Sequence, residues 1–333
     1  MVEKTILISY GTRPEWIKLK PLIEAFEGAI SFKILYTGQH EHIGNFRHDY
    51  SVNIKKGHDR LNNIFSSILD LKLNFKPVYV LVQGDTASAL SMALWAYNKN
   101  IKVIHLEAGL RTYDLGNPYP EESYRQMISR VSSINFCVTE NNKRNLIRER
   151  CNGENYVVGN TVLDNLKGIT TGYSNEVLVT LHRRENLPIL QQWFTEINKL
   201  AKKYNHLKFI IPLHPNPIIQ KHSYLLPNME VVEPLPYSKM IDKISKCRLI
   251  ISDSGGIQEE ASFFNKKVIV CRKETERQES LGVHSFLCKD PSLLNSLFEI
   301  INNNYQINAP CPYGDGETSK KILNILRRKN ERS

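Results

Sequence analysis

Thr5-Ile6-Leu7-Ile8-Ser9-Tyr10-Gly11-Thr12-Arg13-Pro14 is the stretch whose reading decides the fold. An uncharged, mostly apolar run enters a glycine, and Pro14 follows where a first helical turn accepts it. A short continuous apolar run of this kind reads as a strand covered on both faces, as in a parallel sheet. The turn at Gly11 then leads from strand to helix.

The same phrase recurs along the chain. Residues 32–36 end at Thr37-Gly38, residues 78–82 at Gln83-Gly84-Asp85, residues 103–106 at Glu107-Ala108-Gly109 and residues 136–138 at Thr139-Glu140. A turn-rich interval lies near residues 165–175, and the pattern then restarts. Residues 177–181 end at His182, residues 209–213 at His214, residues 249–252 at Asp253 and residues 268–270 at Cys271-Arg272. Helical stretches separate these runs. The alternation predicts an α/β fold of two Rossmann-like, doubly wound parallel-sheet domains, divided near residues 167 and 168. Ligands bind such sheets at the carboxyl ends of the strands. Polar residues stand at those ends in both halves, so a cleft between two facing domains is the expected site.

Composition sets the outer limits. The 333 residues fit two domains of roughly 100–200 residues each. With 41% hydrophobic and 23% charged residues, disorder, collagen and coiled coil are excluded. No apolar run nears the roughly 18 residues that span a bilayer, so no membrane partner is expected. The start, Met1-Val2-Glu3-Lys4, is too soon polar for a secretory signal. Six cysteines form no Cys-x-x-Cys pair, and several sit in apolar runs, which suits free thiols in a reduced cytoplasm. The net charge is +10, but basic residues are spread along the chain without interleaved aromatics, so no nucleic-acid partner is expected. The one dense basic cluster is Arg327-Arg328-Lys329-Asn330-Glu331-Arg332, behind the apolar residues 322–326. It reads as a solvated helix end or as a basic groove for a small anion.

Four constellations carry chemistry. At Gly11-Thr12-Arg13-Pro14-Glu15-Trp16-Ile17-Lys18, amides at a helix start with Arg13 and Lys18 nearby suit an anion. The segment also fits a plain strand–turn–helix with two surface cations. It is neither a Walker loop nor a dinucleotide fingerprint. At Asp253-Ser254-Gly255-Gly256-Ile257-Gln258-Glu259-Glu260, Ser254 caps a helix while Gly255 and Gly256 admit a phosphate to the backbone. Glu260, one turn in, suits ribose hydroxyls, which favours a mononucleotide, although the segment also fits a plain Gly-rich helix start. Asp85, Glu107 and the pair Glu121-Glu122, with His105 and Arg111 close by, offer carboxylates for general acid and base work. They also fit helix caps and salt bridges, such as Glu121 with Arg125. Finally, Arg277 within Lys273-Glu274-Thr275-Glu276-Arg277-Gln278-Glu279 can clamp a pyrophosphate, although alone this is a charged surface loop. His182 and His214 lack metal-ligand spacing, and Arg183 and Arg184 repel a cation.

Together these segments resemble the UDP-N-acetylglucosamine 2-epimerase family. The matching pieces are Gly11-Thr12-Arg13-Pro14-Glu15, Thr37-Gly38-Gln39-His40, Gly84-Asp85-Thr86, Glu107-Ala108-Gly109-Leu110-Arg111-Thr112 and Pro120-Glu121-Glu122. They continue through Gly159-Asn160-Thr161, His182-Arg183-Arg184-Glu185-Asn186, residues 253–260, Thr275-Glu276-Arg277 and Pro312-Tyr313-Gly314-Asp315-Gly316. The resemblance implies a glycosyltransferase-B-like fold, with the second domain ending near residue 315 and a helix over about 316–333 packing back on the first. It implies UDP-sugar chemistry in a homodimer, with no metal or nicotinamide cofactor. By motif position, Arg13, His182, Arg277 and the Ser254-Gly255-Gly256 turn hold the diphosphate and Glu260 the ribose. Asp85, Glu107 and Glu121 are the acid/base candidates, with Lys18 and His182 beside them.

Departures from the family pattern also count. Gln278 stands where the family has proline, and the loop over residues 280–284 is shorter. Where the family's regulatory site has Gln-His-x-Gln-Met this chain has Gln39-His40-Glu41-His42-Ile43, and His58-Asp59 stands for a later Arg-Gln pair, so an activating second UDP-GlcNAc site is expected to be absent or altered. The leading expectation is a non-hydrolysing 2-epimerase of a UDP-N-acetylhexosamine, including 6-deoxy relatives. A hydrolysing epimerase, a glycosyltransferase and a non-catalytic nucleotide-sugar binder are the alternatives.

Overall fold

The structure, a computed structural model, describes residues 4–40, 46–55 and 59–331. The chain divides into two compact units, Met1–Asn165 with Gly314–Ser333, and Leu166–Tyr313.

The first unit holds seven parallel strands: β1 (Ile6–Tyr10), β2 (Phe32–Tyr36), β3 (Tyr50–Ser51), β4 (Tyr79–Gln83), β5 (Lys102–Ala108), β6 (Ile134–Cys137) and β7 (Glu154–Val157). Five helices alternate with them: α1 (Arg13–Phe26), α2 (Arg60–Leu69), α3 (Ala87–Asn98), α4 (Glu121–Val131) and α5 (Glu140–Arg148). The strand order is β3-β2-β1-β4-β5-β6-β7, so the order reverses at β1 and β4. Successive residues of a strand face opposite sides of the sheet. Leu7, Leu35, Val80, Val82 and Val103 therefore pack against α2 and α3, with Ile64, Ile68, Met92 and Trp95. Ile6, Ile8, Ile34, Leu81, Ile104 and Phe136 pack the other way, with Leu19, Leu22 and Phe26 of α1. Both faces being covered is the physical reason that the strands read as unbroken apolar runs.

The second unit repeats the plan with β8 (Glu176–Thr180), β9 (Lys208–Pro212), β10 (Glu230–Val232), β11 (Leu249–Ser252), β12 (Val268–Val270) and β13 (Ser285–Leu287). Its helices are α6 (Leu190–Lys203), α7 (Pro217–Lys221), α8 (Tyr237–Lys246), α9 (Gly255–Phe263) and α10 (Leu294–Asn303). The order is β10-β9-β8-β11-β12-β13, again parallel, with the reversal at β8 and β11. Its core is built on Val177, Val179, Phe209, Ile211 and Ile251 against Trp193, Phe194 and Ile197 of α6. Each such buried side chain contributes about 1.5–3 kcal/mol.

The last helix, α11 (Thr318–Glu331), belongs to the first unit. Ile322 and Leu326 enter the core beside α1. Asp164 accepts from the amides of Thr318 and Ser319 at 3.0 and 2.7 Å, capping α11 from a distant part of the chain. Among the described residues, no helix is long and apolar enough to cross a membrane. All six cysteines are free thiols.

Candidate active site

In the first unit the acids stand at the carboxyl ends of β4 and β5. Gly84 has a positive φ of 68°, and its amide donates to Leu106 O at 3.0 Å, tying the two strand ends together. Buried His105 donates from Nε2 to Gly84 O at 2.8 Å, and burial pushes its pKa down to about 4, so the ring is neutral. Glu107 carries a φ of 60°, unusual for a residue with a side chain, at the point where the β5–β6 register shifts. Such an irregularity re-aims a side chain at a cost of roughly 1–3 kcal/mol. The Glu107 carboxylate is buried and takes hydrogen bonds from Lys18 Nζ and Gln83 Nε2 on one oxygen. Asp85, partly exposed, pairs with Arg125 of α4, whose Nε lies 2.9 Å from Oδ2. Arg125 also reaches buried Glu122 at 3.3 Å. Glu121 is half-buried at the first position of α4, one turn before Arg125.

Glu15 organises the opposite side of this strand end. Its Oε2 accepts from Gly11 N at 2.9 Å, Thr12 N at 2.7 Å and Thr12 Oγ1 at 2.8 Å, and its Oε1 accepts from Thr86 Oγ1 at 2.7 Å. One carboxylate thus pins the β1 and β4 turns to each other across the point of strand-order reversal. Burial pushes the Glu15 carboxyl above its usual range despite these donors. The amides of Gly11 and Thr12, expected to serve a bound anion, are instead used by Glu15. Arg13 is exposed at the first position of α1, and Lys18 follows on the next turn.

In the second unit, fully buried Asp253 follows β11 and holds the loop after β8. It accepts from His182 N at 3.0 Å, Arg183 N at 2.9 Å and Asn186 Nδ2 at 2.9 Å. His182 Nδ1 also lies 3.3 Å from Asp253 Oδ1. The His182 and His214 rings stack with centroids 5.5 Å apart, and burial lowers the His214 pKa. Among the described residues, no group of three His, Cys, Asp or Glu could hold a metal.

Ser254 caps α9, and Gly255 and Gly256 start it with N–H groups that no earlier turn can satisfy. A Cβ on Gly255 would stand 2.8 Å from Arg277 Nη1, so only glycine lets this guanidinium lie over the helix start. A Cβ on Gly256 would meet nothing within 4 Å. The segment that passes for a surface loop is exposed only at Lys273, Glu274 and Gln278, and Thr275, Glu276 and Arg277 are buried. Arg277 Nε donates to Glu259 at 2.9 Å and Nη1 to Glu276. Arg272 joins Glu276 at 2.9 Å and Glu185 at 2.7 Å. Glu260, further along α9, is buried and accepts from Tyr237 Oη at 3.0 Å.

Several contributors escaped the sequence reading. Glu15 was signalled by the Thr12-x-x-Glu15 capping-box spacing. Arg125 reads from sequence as a helix partner of Glu121, whereas its folded partners include Asp85 and Glu122. Arg111, expected beside the acids, is buried in a two-pronged pair with Glu149 at 2.8 and 2.9 Å. Glu41, His42, Ile43 and His58, counted among the regulatory-site replacements, lie outside the described residues. Their neighbours have local roles: Gln39 Oε1 accepts from Ser88 N at 3.0 Å, and Asp59 caps α2.

The profile of the UDP-N-acetylglucosamine 2-epimerase family matches residues 25–327. A Campylobacter jejuni UDP-N-acetylglucosamine 2-epimerase is 36% identical, covering 97% of both chains. The UDP-GlcNAc 2-epimerase of Neisseria meningitidis, solved bound to UDP-GlcNAc, has a TM-score of 0.86 at 34% identity and covers 97% of this chain and all of its own. That of Methanocaldococcus jannaschii, in complex with UDP-GlcNAc and UDP, has a TM-score of 0.83 at 30% identity over 97% of this chain and 99% of its own. A glycosyltransferase of kitacinnamycin, 11% identical with a TM-score of 0.56, shares the fold alone. The chain therefore belongs to the UDP-N-acetylglucosamine 2-epimerase family and is an epimerase, an enzyme of the isomerase class.

Proposed function

We propose that this protein is a non-hydrolysing 2-epimerase that interconverts UDP-N-acetylhexosamines, with UDP-GlcNAc or a 6-deoxy relative as substrate. The reading is carried by one observation: two carboxylates, Asp85 and Glu107, each paired with a cation, stand on the ends of neighbouring strands. Charge-assisted hydrogen bonds of this kind fix the orientation of a carboxylate, so each is held where it can exchange a proton with a bound sugar. The relatives solved with UDP-GlcNAc or UDP support the substrate class.

In this mechanism the C2–H bond breaks and its electron pair forms the C1–C2 double bond of a glycal. The C1–O bond breaks in the same phase, and UDP leaves with that electron pair. UDP oxygen then returns to C1 while a proton is delivered to the opposite face of C2. Asp85, Glu107 and Glu121 handle these protons, and Lys18 positions Glu107. The second unit supplies the nucleotide groups. The start of α9, Arg277 and His182 offset the charge that develops on the departing diphosphate. Arg13 adds a further cation for it, and Glu260 holds the ribose.

Incubation with UDP-GlcNAc and its 6-deoxy relatives in heavy water, followed by NMR, tests this reading. Deuterium at C2 with UDP still attached is expected. Free sugar and UDP would instead make the enzyme a hydrolysing epimerase. Binding without exchange for every candidate would remove catalysis from the reading.

A further inference from the structure

The far end of the first sheet, away from the carboxylates, carries a second feature. The first residues of β4, β5 and β7 and the last turns of α11 surround a cavity of about 430 Å³, whose lining includes Tyr79, Lys102, Glu154, Tyr156, Arg328 and Lys329. Small-ligand pockets run to roughly 300–1,000 Å³. Three cations face one carboxylate here. Lys329 pairs with Glu154, which also accepts from Tyr156 Oη, and these donors hold the Glu154 carboxyl below its usual range. Lys102 Nζ stands 5.9 Å from the Tyr79 ring centroid and Lys329 Nζ 5.7 Å from that of Tyr156, so aromatic faces hold both ammonium groups at the cavity wall. The carboxyl end of a helix attracts cations, which accounts for Arg328 and Lys329. It does not account for Lys102, which comes from β5 and completes the cluster only because α11 returns to this unit. Among the described residues that line the cavity, Glu154 is the one carboxylate beside the three cations Lys102, Arg328 and Lys329.

We infer that this cavity binds a small, multiply charged anion of the phosphate class. The guanidinium of Arg328 suits two-pronged contact with phosphoryl oxygens, and the lysines add point charges beside it. The site is separate from Asp85 and Glu107 by the length of β4 and β5, roughly 15–25 Å at about 3.3 Å per residue. It does not depend on the substrate assigned above.

Crystals of the full chain soaked in tungstate, with anomalous maps, give the first test. An anomalous peak in contact with Lys102, Arg328 and Lys329 is expected. Calorimetric titration with pyrophosphate gives the second test, comparing the unaltered chain with the double variant Lys102→Gln, Arg328→Gln. Both residues are exposed, so the variant retains its fold. The variant is expected to lose one class of site, or at least tenfold in its affinity, and Arg328→Lys is expected to retain binding. The difference between the two proteins isolates this cavity from any other anion site. Identical titrations, the absence of a peak at the cavity, or a peak with no saturable binding in solution (an adventitious ion only) would each overturn the proposal.

Discussion

Arg125 reaches from α4 with both Nε and Nη2 to a single oxygen, Oδ2, of Asp85. Its third nitrogen, Nη1, lies 3.3 Å from fully buried Glu122, which also takes the amides of Thr112 and Tyr113 at 3.1 and 3.2 Å. One guanidinium therefore fixes a candidate catalytic carboxylate and anchors the loop before α4. In the proposed mechanism Arg125 is a positioning residue that acts on the reaction through Asp85.

Replacing it separates those roles. Arg125→Met leaves Glu122 buried without its cation, and breaking such a pair costs about 3 kcal/mol. Misplacement of Asp85 is expected to lower kcat by about 100-fold. Arg125→Lys should recover stability more than kcat, because an ammonium cannot reproduce two contacts to one oxygen. Urea unfolding and steady-state kinetics measure the two effects. A Met variant with unaltered kcat would remove Arg125 from the arrangement.

Gly255→Ala tests the contact between α9 and Arg277. The added Cβ would stand 2.8 Å from Nη1 and 2.9 Å from Cζ, so the guanidinium must move. Alanine is the better helix former by about 1 kcal/mol in a helix interior, so a gross loss of stability is not expected. UDP affinity should fall by about tenfold, equivalent to about 1.4 kcal/mol. A thermal melt and a UDP titration decide it. Equal UDP affinity in both proteins would show that Arg277 does not need this place.

His105 makes the first unit acid-sensitive. Burial pushes its pKa down to about 4, from a usual value of 6.5. The folded chain then binds fewer protons than the unfolded chain between those values, so stability is fully present above pH 6.5 and declines as pH falls toward 4. Each pH unit inside that window costs up to about 1.4 kcal/mol from this residue. His105→Gln, which can still donate to Gly84 O, should flatten the decline. Unfolding free energies at pH 7, 6 and 5 compare the two slopes, and parallel slopes would count against the assignment.

Initial rates against UDP-GlcNAc are expected to be hyperbolic, since His42-Ile43 and His58-Asp59 depart from the regulatory residues of the family pattern. A sigmoidal curve with UDP-GlcNAc as an obligatory activator would show that a second site survives.

How far the chain could be read from its residues differed between elements. The long strands were legible because helices cover both faces and their central positions are mostly apolar. The edge strands β3, β10 and β13 were not, since two or three residues carry no periodicity. Ser254-Gly255-Gly256 was recognisable as a helix start, because capping is local chemistry. The burial of Thr275-Glu276-Arg277 was not, because its partners Gln258 and Glu259 come from α9.

Local order along the chain, then, determined the two parallel α/β units, their helix starts and which side chains end each strand. Tertiary structure alone decided which charges meet. Lys18 and Gln83 converge on Glu107, Arg125 turns to Asp85, and α11 brings Arg328 and Lys329 to Lys102. Hydrophobic periodicity repeats within a few residues and survives in a linear text. An ion pair joins residues tens of positions apart, and its geometry exists only once the sheet has brought them side by side.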